Sequence, residues 1–574
     1  MPRSLHSNST ESKQEDDHGS GSPDLVLARS EGRVGFRGLF ENKFILGISL
    51  FSTLGGFLFG YDQGVVSNVL AIESFGAEFP SIYMNPALKG WFVSTLLLSA
   101  CFGSIVNGPV CDKIGRKRDI MCNVVIFLLG SALQTGATSP IYLFAGRAVA
   151  GLAIGALTHV VPMYIAEISS AKIRGSLVSL QQLAITFGVS ETANWIAYGT
   201  SHIGGTRCAP EIPYTGALLN GRPTFDPYKD VPPGGCTGQS QASWRIPVGF
   251  QLLPALCLGV GMLFMPYSPR WLVEQGREEE ALQTLSRLRR KPAENSSVRF
   301  EYLEIMAEVR FTREVTKAAY PNAGPFGQSI NNYRALVSSR PKFKRLIVGC
   351  LTMVYQQNMA IIYYAPTIFG QLGLDPNTTS LFATGIFGIV NMVATLPAII
   401  LLDSVGRRPL LMSGAAGCFI CLAIVGSLVT AYGKDWSAHA VAARTAIVFV
   451  FLYDVNFAYS WAPIGWVLPS EIFPLHLRST GISITTSTTW ISNFFVGLFA
   501  PGMLARAGGV TYYIYAGTAL IALLSAKFFF PETKGRTLEE MDAAFGDNAT
   551  VRERERMEGI CRELGLPVNT LSTA

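Results

Sequence analysis

Charged residues are scarce in this chain: Asp, Glu, Lys and Arg make up 15% of its 574 residues, where an ordinary soluble domain has about 25%. With 49% apolar residues and a mean hydropathy of +0.31, it has more apolar surface than one water-soluble core can hide. No GxxxxGK[ST] loop is present to cradle a nucleotide's phosphates, which argues against an ATP-driven pump. Cysteine offers little chemistry. Seven of the ten (Cys101, Cys111, Cys122, Cys257, Cys350, Cys418 and Cys421) fall in or beside apolar runs, where a thiol packs as a small hydrophobe. Cys418 and Cys421 form a CxxC with no second ligand pair nearby, so no metal site is expected, and no cofactor. Residues 1–43 are polar and rich in Ser, Asp and Glu; they read as a disordered tail, not a cleavable signal. The net charge of +6 sits largely in short loops and a central polar stretch, a mark of membrane topology and not of a nucleic-acid partner.

What the chain does have is apolar runs of about 20 residues, enough to cross about 30 Å of hydrocarbon at about 1.5 Å per residue. Twelve spans are expected, at 44–66, 90–111, 119–138, 140–161, 177–199, 245–265, 345–369, 380–402, 409–431, 444–467, 479–503 and 509–530. The basic residues Lys113, Arg116, Lys117 and Arg118, then Lys172 and Arg174, then Arg407 and Arg408, then Arg478 all follow even-numbered spans, which makes those loops and both termini cytoplasmic. The chain then divides into a cytoplasmic tail (1–43), an N-terminal six-helix bundle (44–265), a cytoplasmic helical linker (266–344), a C-terminal six-helix bundle (345–530) and a second tail (531–574). The linker carries the amphipathic stretches EEEALQTLSRLRR and EYLEIMAEVRF, while RERERMEGICREL in the last tail reads as a solvated helix.

Repetition joins the two halves. DKIGRK at 112–117 matches DSVGRR at 403–408, each after the second span of its half. EISSAKIR at 167–174 matches EIFPLHLR at 471–478, each after the fourth. Shared Asp, Gly, Arg and Glu at equal spacing favour duplication over chance collection of basic residues. The expected fold is thus an all-α membrane protein with twelve transmembrane helices in two pseudo-symmetric six-helix bundles.

These motifs, with GRAVAGLAIG, PMYIAEISSAKIRG, the fifth-span QQL, SPRWL, GWVLPSEIFPLHLR and PETKGRT, resemble the sugar porter family of the major facilitator superfamily over residues 44–540. YGTSHIGGT, GQSQASWRIP and SWAPIGWVLPSEIFPLHLR are most similar to fungal hexose and pentose transporters. The resemblance implies transport of a monosaccharide by alternating access, with no enzymatic step. Its implied partners are a small-molecule sugar, a proton and membrane lipid, for a monomer in the plasma membrane. A facilitative uniporter stays open as an alternative, as does a sugar sensor, although the stretch after PETKGRT is short for a signalling platform.

A solute path is marked by polar side chains inside spans, because facing lipid would cost each several kcal/mol. The candidates are Asp62, Arg147, Gln181, Gln182, Gln356, Gln357, Asn358, Asn391, Thr489, Trp490 and Asn493. Amides suit neighbouring hydroxyls because each offers a donor and an acceptor, and an indole offers an apolar face. Any one amide can instead be an interhelical hydrogen bond. The resemblance implies that Gln182, Asn391 and Trp466 contact sugar, with Ile185 beside them and Trp490 near the cavity. In VYQQNMAIIYYAP the spacing from Gln356 and Gln357 to Tyr363 and Tyr364 is about three residues shorter than in relatives, about 300° of helical turn. Tyr267 stands where the acid before SPR is usual.

Asp62 and Arg147 are read either as a proton-coupling pair or as a fixed ion pair between spans one and four. The resemblance further implies that Asp112, Arg116, Glu167 and Arg174 in one half, and Asp403, Arg407, Glu471 and Arg478 in the other, form gating ion pairs at the inner side. Cys208 and Cys236, alone in the one long outer loop, are expected to form a disulfide.

Overall fold

The computed structural model describes residues 42–566 except 171–172, 220–221, 322–324, 359–367, 370–371, 373–378, 437, 475–476, 535–540, 542–543 and 547–549. The first apolar run breaks into α1 (Lys43–Ser52) and α2 (Leu54–Val69). Then follow α3 (Pro86–Ile114), α4 (Arg116–Thr135), α5 (Pro140–Ile168) and α6 (Arg174–Thr186). A π-helical turn, Phe187–Thr192, leads from α6 into α7 (Ala193–Thr200). α8 (Ala242–Phe250) and α9 (Leu252–Phe264) form one apolar rod, followed by the polar helices α10 (Glu278–Arg289), α11 (Ser296–Ala319) and α12 (Pro325–Ala335). The second series is α13 (Arg340–Asn358), α14 (Thr379–Val405), α15 (Arg407–Tyr432), α16 (Ala440–Ala458), α17 (Trp461–Ile472), α18 (Arg478–Ala507) and α19 (Gly509–Phe528). α20 (Thr550–Glu563) lies beyond them.

Seven helical stretches among the described residues are long and apolar enough to cross a membrane: 43–69, 86–114, 140–168, 242–264, 407–432, 440–472 and 509–528. This is an integral membrane protein. The expected spans at 119–138, 177–199, 345–369, 380–402 and 479–503 are not in that set, although described helices occupy part or all of each. Composition explains much of the difference: α4 opens on Arg116, Lys117, Arg118 and Asp119, and α18 on a run of serines and threonines. The π turn interrupts α6 before α7, and the described part of α13 ends at Asn358. Tyr363 and Tyr364, whose spacing was in question, lie outside the described residues, as does the 1–41 stretch.

Glycine sets the repeated turns. Gly115 (φ 87°) and Gly406 (φ 107°) each let one helix end and the next begin within a single residue, a left-handed conformation that a Cβ disfavours. A Cβ on Gly115 would also lie 2.8 Å from the Trp271 ring, and one on Gly406 2.8 Å from the Glu532 carboxylate. Elsewhere glycine provides closeness. Gly56, Gly60 and Gly64 recur every four residues on α2 and face α6 and the π turn; a Cβ on Gly60 would sit 2.1 Å from the Ile185 carbonyl oxygen.

Buried apolar side chains gather in two large clusters, one from residues 45–288 joined by Trp490 and Phe494, the other from 335–545. α3 and α18 meet along a seam where the Ser104 and Ser487 hydroxyls are 2.8 Å apart and Ser94 donates to the Phe494 carbonyl at 3.2 Å. α20 departs from its expected solvated state: Met557, Ile560 and Cys561 are buried against Phe300, Ala307 and Phe311 of α11, so one apolar face of the charged helix is covered.

The 201–241 loop holds an antiparallel pair of two-residue strands, β1 (Leu218–Leu219) and β2 (Arg222–Pro223), and a disulfide between Cys208 and Cys236. The Cys208 amide donates to Glu73 Oε2 at 2.7 Å, and the Tyr214 hydroxyl donates to the same carboxylate, tying the loop to the segment after α2. Closing a 28-residue separation should contribute roughly 3 kcal/mol to holding this loop. Cys208→Ser should therefore leave the bundle folded but make the loop several-fold more susceptible to limited proteolysis. Quantitative alkylation of both cysteines in denatured protein prepared without reductant would show instead that no bond forms.

Candidate solute cavity and charge networks

Between the two apolar clusters lies a cavity with about 790 Å³ of empty space, part of it open to solvent. α2 supplies Phe59, Gln63 and Ser67; α6, the π turn and α7 supply Gln182, Ile185, Thr186, Val189 and Asn194. The opposite wall is Gln356 and Gln357 of α13, Thr384 and Asn391 of α14, Phe457 of α16, and Ala462 and Trp466 of α17. The glycine ladder of α2 explains why Gln63 and Gln182 share one wall: with no Cβ between them, the two backbones approach closely and the neighbouring amides turn to the same space.

Amides dominate the polar lining, and among the described lining residues none is acidic or basic. Gln356 donates to the Ala462 carbonyl at 2.7 Å and Gln357 to Gln356 Oε1 at 3.2 Å. Gly465 makes room for this pair, since a Cβ there would meet Gln356 Nε2 at 2.4 Å. Among the described residues the buried Gln182 Oε1 has no hydrogen-bond partner, so it is an unused acceptor at the cavity wall. Phe59, Phe457 and Trp466 give the cavity its apolar surfaces.

Six of the sequence candidates thus line one space: Gln182, Ile185, Gln356, Gln357, Asn391 and Trp466. Five are placed elsewhere, among them Thr489 and Asn493 of α18, both buried and outside this lining. Gln181 turns toward α2, its Cγ 2.9 Å from where a Gly56 Cβ would be, and Asn358 donates to its own helix at Val354 O, 2.8 Å. Trp490 is fully buried one layer back, its ring edge-on to Phe59 at 4.9 Å. Sequence reasoning passed over Gln63, Asn194 and Thr384, polar and within expected spans, and Ser67, one residue beyond the first. It also passed over Asp454, a buried carboxylate on α16 that accepts from Asn391 Nδ2 at 2.5 Å. Its acid in an apolar run is the same signal that drew attention to Asp62.

Asp62 and Arg147 meet at 2.8 Å with both side chains out of solvent. Arg147 also donates to the Val93 carbonyl at 3.3 Å and lies 5.5 Å from the centre of the Phe92 ring. Asp62 Oδ1 has no partner among the described residues. A smaller space lined by Gln63, Val66, Ser67, Val93, Leu97 and Arg147 shares Gln63 and Ser67 with the main cavity, so these two residues stand between the cavity and the ion pair.

The repeated motifs build two similar charge networks. Arg116 is within 2.9 Å of Glu167, 3.2 Å of Asp112 and 3.6 Å of Glu274, and Arg270 continues the chain to Glu308 of α11 at 2.8 Å. Arg407 is 2.8 Å from Glu471, whose other oxygen accepts from Thr533 at 2.6 Å. Lys117 donates to the Leu263 carbonyl at the end of α9, and Arg408 to Ala526 and Lys527 at the end of α19, satisfying helix C-terminal carbonyls in the same manner. The side chains of Arg174 and Asp403 lie outside the described residues; Arg478 opens α18, partly buried.

The halves differ at one corner. Glu532 accepts from the Arg407 and Arg408 amides at 3.0 Å each, capping α15. Burial opposes ionisation of this carboxyl, but the amides of Lys534, Arg407, Arg408 and Thr533 outweigh it and hold the group below the usual carboxylate range. The cap therefore contributes above the unfolded carboxylate's pKa and is lost as pH falls through the lower folded value. Tyr267, in the corresponding place, offers a ring to Lys117 at 5.1 Å and to Arg118 at 5.8 Å while stacking on Trp271.

Residues 48–545 match the family model "Sugar (and other) transporter". A probable quinate permease of Neosartorya fischeri is 31% identical over 523 residues, covering 88% of each chain, and the major facilitator-type transporter ecdD of Aspergillus rugulosus is 31% identical over 540 residues, covering 90% of each. Among solved structures, the proton:xylose symporter XylE bound to 6-bromo-6-deoxy-D-glucose superimposes with a TM-score of 0.66 at 27% identity, over 88% of this chain and 99% of that one. The partially occluded inward-open form of XylE from E. coli gives 0.64 at 26%, over 86% of this chain and 100% of that one.

Proposed function

Since this chain belongs to the sugar porter family of the major facilitator superfamily, we propose that it carries a monosaccharide, a hexose or pentose, across the plasma membrane by proton symport. It is a transporter and not an enzyme. In this reading twelve spans form two six-helix bundles joined by the 266–344 linker, both termini are cytoplasmic, and the monomer exposes the central cavity to one side and then the other. The observation that carries the substrate class is the lining itself: amides and aromatic faces with no ion among the described residues. Such a surface matches a ring bearing hydroxyls on its edge and C–H bonds on its faces.

The quinate permeases among the relatives raise a polyhydroxylated acid as another substrate. A carboxylate taken from water into this cavity would need a cation, and the described lining offers none. A neutral sugar is therefore favoured. Coupling rests on Asp62 and Arg147, which share the Gln63 and Ser67 wall with the cavity. Because their ion pair is complete in this conformation, a facilitator with a fixed Asp62–Arg147 pair is the second reading.

Uptake of labelled glucose, galactose, xylose and quinate in transporter-null cells at two external pH values tests both. A monosaccharide should accumulate, faster at the more acid pH. Quinate uptake with no sugar uptake would overturn the substrate, and sugar entry that stops at equal concentration would overturn the coupling. Gln182→Ala and Asn391→Ala should each weaken apparent affinity several-fold, one hydrogen bond being worth about 1 kcal/mol net. Unchanged kinetics in both would move the binding site elsewhere.

A further inference from the structure

Asp454 is the feature of the membrane core that neither the charge pair nor the gating motifs use. It lies on α16 with no exposed surface, Oδ1 accepting from Asn391 Nδ2 at 2.5 Å and Oδ2 without a partner among the described residues. Among the described residues no Lys, Arg or His forms a salt bridge with it, unlike Asp62. Among the described residues α14 presents Asn391, and the titratable side chain facing it from α15 is the Cys418 thiol. An ionised carboxylate in such a place would be an uncompensated charge inside the membrane, costing several kcal/mol. The neutral acid keeps a carbonyl oxygen that still accepts from Asn391.

We propose that Asp454 is a positioning residue, a neutral carboxyl that holds the Asn391 amide with Nδ2 turned away and Oδ1 presented to the cavity. An asparagine side chain facing a solute can offer either end, because rotating it by half a turn exchanges donor for acceptor. Here Asn391 lines the cavity and donates through Nδ2 to Asp454 Oδ1; with the carboxyl proton on Oδ2, turning the amide would break that bond and set two acceptor oxygens against each other. The end left for the solute accepts a hydrogen bond, and the sugar hydroxyl opposite must donate one. Asp454 thereby sets a selectivity that Asn391 alone would not have. The sugar reading above underlies this step, but the Asp454–Asn391 bond does not depend on it.

Two measurements on the full chain separate these levels. In infrared difference spectra of purified protein, the carboxylic C=O band of a neutral acid should vanish in Asp454→Asn and move to higher wavenumber in Asn391→Ala, where the donor is gone. No band lost in the first variant, or no shift in the second, would overturn the proposal whatever the solute is. The second measurement uses the sugar that wild type takes up best, with deoxy and fluoro analogues at each hydroxyl as competitors. At one position the two analogues should be equally poor in wild type, at least fivefold below the parent, because fluorine accepts but does not donate. In Asp454→Leu the amide is free to turn, and the fluoro analogue should recover at least threefold over the deoxy one. A fluoro analogue better than the deoxy one at every position in wild type, or an unchanged pattern in Asp454→Leu, would overturn the assigned orientation. If Asp454→Leu fails to reach the surface, Asp454→Asn takes its place: its own amide can turn, so the same recovery is expected at about half the size, and none would count against the proposal. Absence of all sugar uptake in wild type would sink the transport reading while the infrared result still decides the bond.

Discussion

Asp62→Asn should abolish uptake against a gradient, and its stimulation by external acid, while sugar exchange between the two sides survives. Asp62 is the acid of the fully buried pair with Arg147, and its second oxygen has no partner among the described residues. A carboxylate there is tolerable only because the guanidinium compensates it at 2.8 Å. A small displacement of Arg147, already shared with the Val93 carbonyl and the Phe92 ring, would change which of the charged and neutral forms is cheaper. Gln63 and Ser67, lining both spaces, give the solute a route to influence that displacement. Asparagine preserves size and can still accept from Arg147, but it has no group that ionises in the working pH range, so coupling should fail before folding does. The measurement is the ratio of internal to external labelled sugar, with and without a protonophore, together with exchange in preloaded vesicles. A wild-type ratio that never exceeds one and ignores the protonophore would make Asp62 a structural acid and the protein a facilitator.

Much of this architecture is legible in the sequence because membrane spans and their flanking charges are strong local signals. Expected span 140–161 begins where α5 begins, and 509–530 overlaps α19 almost completely. Deviations come where local composition and tertiary role diverge. α5 continues to Ile168 and α3 starts at Pro86, each carrying polar termini that hydropathy trims away. Asn85 shows the reason at one end: it caps α3 by accepting from the Ala87 and Leu88 amides, with Pro86 in the first turn. α20 looked wholly solvated because charge dominates its composition, yet Met557, Ile560 and Cys561 fall on one face and find α11. At the cavity, Gln182, Asn391 and Gln356 were identifiable as amides in apolar runs, whereas Gln181 and Gln182 are indistinguishable by that criterion. Only the 100° step between neighbours on α6 turns one toward Gly56 and the other toward the cavity. Asp454 carried the right signal and was overlooked beside the louder motifs of its half.

Arg116→Ala should lower the maximal transport rate tenfold or more with little change in equilibrium sugar affinity, and Arg407→Ala should do the same to a smaller degree. Neither residue lines the cavity, so loss of either removes no solute contact. Both hold helix ends together at the motif side of their own cluster, and under the alternating-access reading those contacts stabilise one of two conformers. The ordering follows from burial. Arg116 is 4% exposed and its nearest partner Glu167 9%, with Asp112 (50%) and Glu274 (30%) adding weaker, more solvent-screened contacts. Arg407 is 11% exposed and its partner Glu471 27%, so water screens that pair more. Breaking a buried pair costs about 3–5 kcal/mol because its partner charges are left uncompensated, and a shift of about 1.4 kcal/mol already changes a conformer ratio tenfold. Removing Arg116 leaves Glu167, Asp112 and Glu274 facing one another, a like-charge cluster that should drive the helices apart. Arg116→Lys should restore only part of the rate, since a single ammonium cannot match the divergent donors of a guanidinium. The two sites lie in separate clusters, so the double variant should combine the single effects nearly additively in free energy. Initial rates and equilibrium binding, normalised to surface expression, decide the matter. Wild-type rates in both single variants, or a loss confined to affinity, would remove these arginines from the conformational switch and leave them as topology signals.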